Sequence, residues 1–178
     1  MNHKKKNIIE LTRMTAEECR NSGKLPIIVM LDNVRSLNNV GAILRTSDAF
    51  SVREVIMCGI TGTPPSPEIQ KTALGAENSV VWRHEENAMS ALEGLKKEGW
   101  HICALEQAHN SVQLQNFKVE AGRKYVIVCG NEVHGVSQEI VDEADTILEI
   151  PQFGAKHSLN VSVSTGIAVW HLFSSMQK

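Results

Sequence analysis

The sequence lacks the features of several common protein classes. Its four cysteines include no Cys-x-x-Cys pair, and its seven histidines show no His-Glu-x-x-His spacing, so neither a metal site nor a disulfide framework is indicated. No apolar run approaches the roughly 18 residues that a membrane span needs. The opening stretch MNHKKKNIIELTRMTAEE turns polar and acidic where a secretory signal would be apolar. These absences predict a cytoplasmic protein with no membrane partner and no metal.

Signatures of nucleotide binding and of hydrolysis are also missing. The sequence contains neither the G-x-x-x-x-G-K-[ST] phosphate loop nor the G-x-G-x-x-G dinucleotide fingerprint. The G-x-S-x-G nucleophile elbow is absent as well, and His157 directly adjoins Ser158 in the chain. We therefore expect neither a Gly-rich phosphate loop nor a Ser-His-Asp hydrolase.

The composition is that of one globular domain with an uneven charge. The chain has 178 residues, of which 42% are hydrophobic and 21% charged, with a net charge of −2. Residues 1–53 hold nine Lys/Arg and five Asp/Glu, net +4, whereas residues 54–178 hold nine and fifteen, net −6. The basic end is either a patch that faces phosphates or a solvated basic tail.

Apolar runs alternate with amphipathic stretches along the chain. The strand-like runs lie at 26–31, 54–59, 79–82, 101–106, 124–130 and 146–151. The helical patterns lie at 39–51, 67–75, 87–98, 136–143 and 158–175, with a short amphipathic helix expected within residues 1–25. Most apolar runs are continuous rather than alternating, which indicates burial on both faces of a sheet. The pattern predicts an α/β fold with a mainly parallel sheet covered by helices.

The first polar cluster is LDNVRSLNNVGAILRTSDAF, residues 31–50. Asn38 or Asn39 is a candidate N-cap for the helix that follows the first strand. Arg45 lies off the apolar stripe of that helix, on a face of small residues that would let another backbone or a substrate approach. A surface Arg paired with Asp48 is the alternative interpretation.

The second polar cluster is GNEVHG, residues 130–135, directly after the apolar run KYVIVC. Two glycines permit a tight turn, and Asn131 and Glu132 project at the carboxyl end of a strand, where α/β proteins commonly bind ligands. The stretch is therefore either a binding site or a turn whose polarity is incidental.

The third polar cluster is IPQFGAKHSLNVSVSTGIAVW, residues 150–170. Ser158 is a candidate helix N-cap, a role that does not exclude a functional one. The helix after it is rich in small residues, which favour close packing against another backbone, as at a contact between subunits.

The three clusters in this order resemble the three motifs of the SpoU, or TrmH-like, RNA 2′-O-ribose methyltransferases of the SPOUT superfamily. The resemblance runs from about residue 26 to 172 and implies a SpoU-type methyltransferase domain at 26–178, preceded by a short basic arm at 1–25. It also implies a C-terminal deep trefoil knot, an S-adenosyl-L-methionine cofactor and a homodimer joined through the helix at 158–175. By position, four residues are expected to line the adenosine of the cofactor: Leu105, Gly130, Ile150 and Leu159.

The resemblance also implies the polar active-site residues Asn39, Arg45, Glu132, Ser158 and Asn160. An ion pair between Glu132 and Arg45 is expected, and Ser158 would orient Arg45 or the methionine end of the cofactor. The 2′-hydroxyl distinguishes RNA from DNA, so the expected substrate is tRNA or rRNA. Its contacts would be basic residues: Arg35, Arg53 and Lys156, together with Lys4, Lys5, Lys6 and Arg13. The alternatives are a non-catalytic RNA- or cofactor-binding relative and a base-methylating SPOUT enzyme.

Overall fold

A computed structural model describes residues 3–7 and 14–177. In this part of the chain, seven strands form one sheet, and every pair of neighbouring strands is parallel. The strands are Leu25–Asp32 (β1), Val52–Cys58 (β2), Trp82–Glu85 (β3), His101–Leu105 (β4), Val112–Gln113 (β5), Tyr125–Cys129 (β6) and Thr146–Glu149 (β7). Their order across the sheet is β3-β2-β1-β6-β4-β7-β5. The predicted α/β fold with a mainly parallel sheet is therefore confirmed.

Six α-helices in the described residues connect and cover these strands. They are Ala16–Asn21 (α1), Leu37–Ala49 (α2), Pro67–Ala73 (α3), Ala88–Lys97 (α4), Gln138–Glu143 (α5) and Val161–Met176 (α6). Short 3-10 turns at Ala76–Asn78 and Leu114–Asn116 complete the connections.

The strands are continuously apolar because both faces of the sheet are buried. Along β1, Ile27, Val29 and Leu31 belong to one core, which also contains residues of α2, α3 and α6. Ile28 and Met30 alternate with them and join a second core, which contains residues of α4 and α5. The alternation follows from the two-residue period of a strand, and the result is a three-layer α/β/α arrangement.

Three cysteines lie in the centre of this sheet. We call Cys58, Cys103 and Cys129 the strand cysteines; all three are buried and free. Burial raises the pKa of each of these thiols to about 12. They behave as small core hydrophobes, as their position in apolar runs indicates.

Two predicted boundaries were wrong and one strand was missed, each for a local reason. The third strand begins at Trp82 rather than at 79, because residues 76–78 form a 3-10 turn and buried Val80 packs directly after it. The second helix begins at Leu37 because the Ser36 hydroxyl accepts from the Asn39 N–H, so neither Asn38 nor Asn39 is the N-cap. The two-residue strand β5 was not predicted at all, because its residues are exposed and it pairs only with β7.

The amino-terminal arm contains one short helix in its described residues. Thr15 and Glu18 form a reciprocal capping box at the start of α1, and Lys4, Lys5 and Lys6 are exposed. Arg13 and the part of the predicted helix over residues 1–2 and 8–13 lie outside the described residues.

Membrane-spanning helices and clusters of metal-ligating side chains are both absent from residues 3–7 and 14–177. None of their helices is long and apolar enough to cross a membrane. No group of three or more His, Cys, Asp or Glu side chains in them is placed to hold a metal ion.

Candidate active site

The carboxyl ends of the parallel strands meet at one edge of the sheet, and a cavity of about 1240 Å³ opens there. The four residues expected to line an adenosine, Leu105, Gly130, Ile150 and Leu159, all line this cavity. Leu105 ends β4, Gly130 and Ile150 directly follow β6 and β7, and Leu159 precedes α6, so the topology brings them together. This is the edge at which open α/β sheets bind ligands.

The turn GNEVHG is held closed by its own backbone and by Asn131. Asn131 and Gly135 exchange two backbone hydrogen bonds of 2.9 Å. The Asn131 side-chain oxygen accepts from the N–H groups of Val133 and His134, and its amide donates to the carbonyl of Asn33 at 2.8 Å. A Cβ atom at Gly130 would lie 2.1 Å from backbone atoms of Gly135 and Val136, so only glycine fits. Asn131 is therefore a structural residue that fastens the turn to the end of β1.

Two acidic side chains clamp the far side of this turn. The Glu106 carboxylate, just beyond β4, accepts from the Val136 N–H at 2.9 Å. Gly135 has a φ of +70°, and a Cβ there would lie 2.1 Å from the Glu106 Oε2 atom. Asp32, buried at the end of β1, accepts from the Ser137 N–H at 2.8 Å. Neither residue was predicted to belong to the site, although each is a carboxylate at the end of a buried strand.

A chain of three polar side chains joins the three sequence motifs. The Glu132 carboxylate accepts from the Asn39 side-chain amide at 2.9 Å, and the Asn39 side-chain oxygen accepts from the Asn160 amide at 3.1 Å. Asn160 in turn caps α6, because its oxygen accepts from the Ser162 N–H at 2.8 Å. The residues are 93 and 121 positions apart in the chain, so only the fold brings them into contact.

The direction of this chain is fixed at both ends. An ionised Glu132 can only accept hydrogen bonds, so Asn39 must present its NH₂ group to it and its oxygen to Asn160. The N-cap requires the Asn160 oxygen to face α6, which leaves its NH₂ group for Asn39. Each amide is therefore oriented by its neighbours.

The Glu132 carboxylate is held in its ionised form. Burial raises its pKa, but hydrogen bonds from the Arg35 N–H, the Asn39 amide and the Ser36 N–H outweigh burial and leave the pKa below its ordinary value. The two backbone bonds measure 3.0 Å each. Glu132 thus ties its turn to the loop that precedes α2.

Arg45 stands apart from this chain of side chains. It is exposed on α2, and among the described residues it makes no ion pair with either Glu132 or Asp48. The expected Glu132–Arg45 pair is therefore not formed, because Glu132 is occupied by donors at the start of α2. Asp48 instead accepts from the Ser79 hydroxyl at 2.5 Å. The small-residue face of α2 does admit a backbone, since a Cβ at Gly41 would lie 2.4 Å from the Ile69 carbonyl oxygen of α3.

The other predicted residues divide between the site and its surroundings. Ser158 lines the cavity and is exposed, but α6 begins at Val161, so Ser158 is not its N-cap. Arg35 and Lys156 are exposed on segments that belong to this edge of the sheet. Arg53 lies near the amino end of β2, five residues and roughly 17 Å from its carboxyl end. The structure thus separates Arg53 from the rest of the site.

The molecule is an α/β protein with a cavity at the carboxyl edge of its parallel sheet, and its sequence assigns it to a family. Residues 26–170 match the SpoU rRNA Methylase family. The chain belongs to this family.

Two curated relatives illustrate the similarity in sequence. The tRNA (guanosine(18)-2′-O)-methyltransferase of Aquifex aeolicus is 35% identical over 144 residues, which cover 81% of this chain and 67% of the relative. The 23S rRNA (guanosine-2′-O-)-methyltransferase RlmB of Coxiella burnetii is 30% identical over 147 residues, which cover 82% of this chain and 57% of the relative. The chain therefore spans about two thirds of the length of these relatives, or less.

Solved structures show the same fold. The A. aeolicus TrmH/SpoU tRNA modifying enzyme superimposes with a TM-score of 0.80 at 30% identity, over 91% of this chain and 82% of that one. The AdoMet-bound rRNA methyltransferase from Sinorhizobium meliloti superimposes with a TM-score of 0.78 at 28% identity, over 86% of this chain and 59% of that one.

Proposed function

We propose that this chain transfers a methyl group from S-adenosyl-L-methionine to a ribose 2′-hydroxyl of tRNA or rRNA. The observation that carries the proposal is the hydrogen-bonded chain Glu132–Asn39–Asn160 beside the edge cavity. A protein that only bound RNA or cofactor would not need oriented polar groups from three separate motifs at one point. The names of the tRNA and rRNA relatives support the same reaction.

The cavity suits S-adenosyl-L-methionine in shape and in charge. Leu105, Ile150 and Leu159 supply apolar surface for an adenine ring, and the turn after Gly130 supplies backbone polar groups. No Lys or Arg occurs among the described residues that line the cavity, whereas Glu106, Glu132 and Asp142 do line it. A sulfonium cation is favoured by such an environment, and a cofactor rich in phosphate is disfavoured.

The residues of the chain would place and activate the ribose. When bound, the cofactor would supply an electrophilic methyl group: the 2′-oxygen would take the methyl from the sulfonium sulfur, the hydroxyl proton would pass to solvent, and S-adenosyl-L-homocysteine would leave. Asn39 and Asn160 would hold the ribose or the surrounding loops within the 3–3.5 Å approach that such a transfer requires. The Arg45 guanidinium keeps its proton in proteins, so its role is to stabilise the developing alkoxide and to bind the adjacent phosphate.

Methyl transfer from labelled S-adenosyl-L-methionine to separated, unmodified tRNA and rRNA tests the proposal. We expect label in a 2′-O-methyl nucleoside of one RNA class. Label on a base would assign the protein to a base-methylating branch, and cofactor binding without transfer to either class would favour a binding protein.

Arg45→Ala should cut transfer by orders of magnitude and leave cofactor affinity unchanged, and a wild-type rate in this variant would refute the role of Arg45.

We propose further that the chain forms a homodimer through α6. Val163, Ile167 and Trp170 are 50%, 39% and 53% exposed at helical spacing on this helix, and Trp170 contacts Phe50 and Phe173. A contiguous exposed apolar face of this kind is typical of a subunit interface. Trp170→Glu should shift the protein to monomers in analytical ultracentrifugation, and an unchanged sedimentation coefficient would contradict the proposal.

Arg45 does not line the cavity of its own chain. In a dimer, the Arg45 side chain could instead reach the cavity of the partner subunit. We propose that it serves the cavity of the partner. Mixing inactive Arg45→Ala and Asn160→Ala proteins should then restore activity, because each mixed dimer has one site with both residues intact. If Arg45 served its own cavity, both sites of the mixed dimer would lack one residue and activity would stay absent.

The trefoil knot is a further part of the proposal. The strand order supports it, because the late strand β6 lies between β1 and β4, and β7 lies between β4 and β5. Connections that follow β4, β6 and β7 all border the cavity. The chain path in an experimental structure would test the knot directly.

A further inference from the structure

The loop of residues 151–159, which we call the rim loop, lies between two anchored points of the site. It begins after Ile150, which packs against the core and lines the cavity, and it ends at Asn160, which bonds to Asn39. Within the loop, the Gln107 side-chain amide donates to the His157 carbonyl at 2.6 Å. Gln152 and His157 line the cavity. The rim loop is therefore fixed at the cavity mouth.

The tip of the rim loop carries an aromatic ring in full contact with solvent. The Phe153 side chain is 96% exposed, more than any other large hydrophobic residue in the described part of the chain. Each of the remaining phenylalanines, Phe50, Phe117 and Phe173, is partly buried and has ring partners. A Cβ atom at Gly154 would meet nothing within 4 Å, so the tip stands clear of the rest of the structure. Both faces of the Phe153 ring are open to a partner.

The surroundings of Phe153 fit a nucleic acid better than a second protein surface. Lys156 follows three residues later and Arg35 lies at the same edge of the sheet; both are exposed, and neither forms an ion pair within residues 3–7 and 14–177. The neighbours of Phe153 in the rim loop are Gln152, Gly154 and Ala155, so the ring is isolated rather than part of an apolar patch. An open ring with an unpaired lysine three residues away combines the stacking surface and the positive charge with which proteins hold unpaired nucleotides.

We propose that Phe153 stacks against an unpaired base of the RNA substrate at the mouth of the cavity, while Lys156 binds the phosphate beside it. This inference rests on the proposed function and makes it more specific. Bases inside a duplex have no free face for such a ring, so the substrate must present the nucleotide from a loop or a single-stranded segment. Phe153 would thus select RNA by secondary structure rather than by base identity, because every base has a face for stacking.

Binding of two RNA-like probes separates stacking from charge. One probe is a short fluorescent oligoadenylate, and the other is an abasic ribose-phosphate of the same length and charge. Phe153→Ala should weaken oligoadenylate binding by about 5- to 150-fold, the range that one base–aromatic stack contributes. The same variant should leave binding of the abasic probe unchanged, whereas Lys156→Ala should weaken both.

Matched variants show whether the planar face of the ring is what matters. Phe153→Trp should retain oligoadenylate affinity, and Phe153→Leu, which keeps apolar bulk without a planar face, should lose it as Phe153→Ala does. Val81→Ala is the control, since Val81 is also exposed but precedes the edge strand β3. It should bind both probes as the wild type does.

Several outcomes would overturn the proposal. Full oligoadenylate affinity in Phe153→Leu would show that bulk suffices. If Phe153→Ala lost affinity for S-adenosylhomocysteine but bound RNA as the wild type does, the ring would lie over the cofactor. If Phe153→Ala became monomeric, the ring would lie in a subunit contact. If the wild-type protein methylated RNA but did not bind oligoadenylate, the stacking proposal would be refuted and the proposed function would stand. If the wild-type protein neither methylated RNA nor bound oligoadenylate, the proposed function would be refuted.

Discussion

Asn39→Asp replaces one nitrogen atom in the chain Glu132–Asn39–Asn160 with oxygen. The substitution turns the hydrogen bond to Glu132 into a repulsive contact between two carboxylates. The Asn39 NH₂ group lies 2.9 Å from the Glu132 carboxylate, and the substitution replaces that donor with a second carboxylate oxygen. Two unit charges at this separation repel by about 1.4 kcal/mol in bulk water and about 6 kcal/mol at an effective dielectric constant of 20. Proton uptake limits this cost, because protonating a carboxyl group of pKa near 4 costs about 4 kcal/mol at pH 7. We therefore expect the substitution to destabilise the contact between residues 39 and 132 by about 1–4 kcal/mol at neutral pH.

The penalty should depend on pH with a definite sign. Mutual repulsion raises the apparent pKa of the carboxylate pair, and a protonated member again donates a hydrogen bond to the other. The transfer rate of Asn39→Asp relative to wild type, measured in single turnovers, should therefore rise as the pH falls from 8 to 5.5. Asn39→Ala is the control, since it removes the same contacts without adding charge and its relative rate should not vary with pH. A wild-type rate for Asn39→Asp, or identical pH profiles for both variants, would refute this reasoning.

Three further predictions concern the turn and the core. Gly135→Ala should lower the free energy of unfolding by about 2–5 kcal/mol, because it strains a left-handed backbone and displaces the Glu106 acceptor. The control, Gly154→Ala, should change the free energy of unfolding by less than about 0.5 kcal/mol. Equal melting temperatures for the two variants would contradict this prediction. The strand cysteines, with pKa values of about 12, should resist alkylation at pH 8 until the protein unfolds, and labelling of the folded protein would show that they are accessible. The lowered pKa of Glu132 means that its hydrogen bonds stabilise the fold fully above the ordinary value of about 4.3 and are lost as the pH falls through the lower folded value. Denaturant titrations between about pH 5 and 3 should accordingly show a shallower loss of stability in Glu132→Gln than in wild type.

Local signals predicted the strands that are buried on both faces and the helices that have an amphipathic pattern. The apolar runs at β1, β4 and β6 were visible because a strand buried on both faces is apolar along nearly its whole length. The helix at Ala88–Lys97 was visible because its amphipathic pattern repeats within a few residues. β5 gave no such signal, since its two exposed residues form a strand only because β7 lies beside them.

The site was only partly accessible to sequence reasoning. The motifs identified the turn at Gly130 and the residues Asn39, Glu132 and Asn160, but not their partners. An ion pair between Glu132 and Arg45 was a reasonable chemical expectation. The pair is absent because the Glu132 carboxylate instead accepts hydrogen bonds from the backbone N–H groups of Arg35 and Ser36. Asp32 and Glu106 were overlooked because a carboxylate after a strand becomes a clamp only when another loop supplies the N–H.

The sequence by itself determined the layered α/β architecture, the strand and helix alternation and the three motifs, because each depends on periodicity or on residue types close together in the chain. Only the tertiary structure decided how those motifs meet. Hydrogen bonds such as Asn160 to Asn39 join residues 121 positions apart, and no local pattern records a contact whose partners are selected by the order of strands across the sheet. The same holds for Phe153, whose ring is exposed because of where the rim loop lies rather than because of its neighbours in sequence.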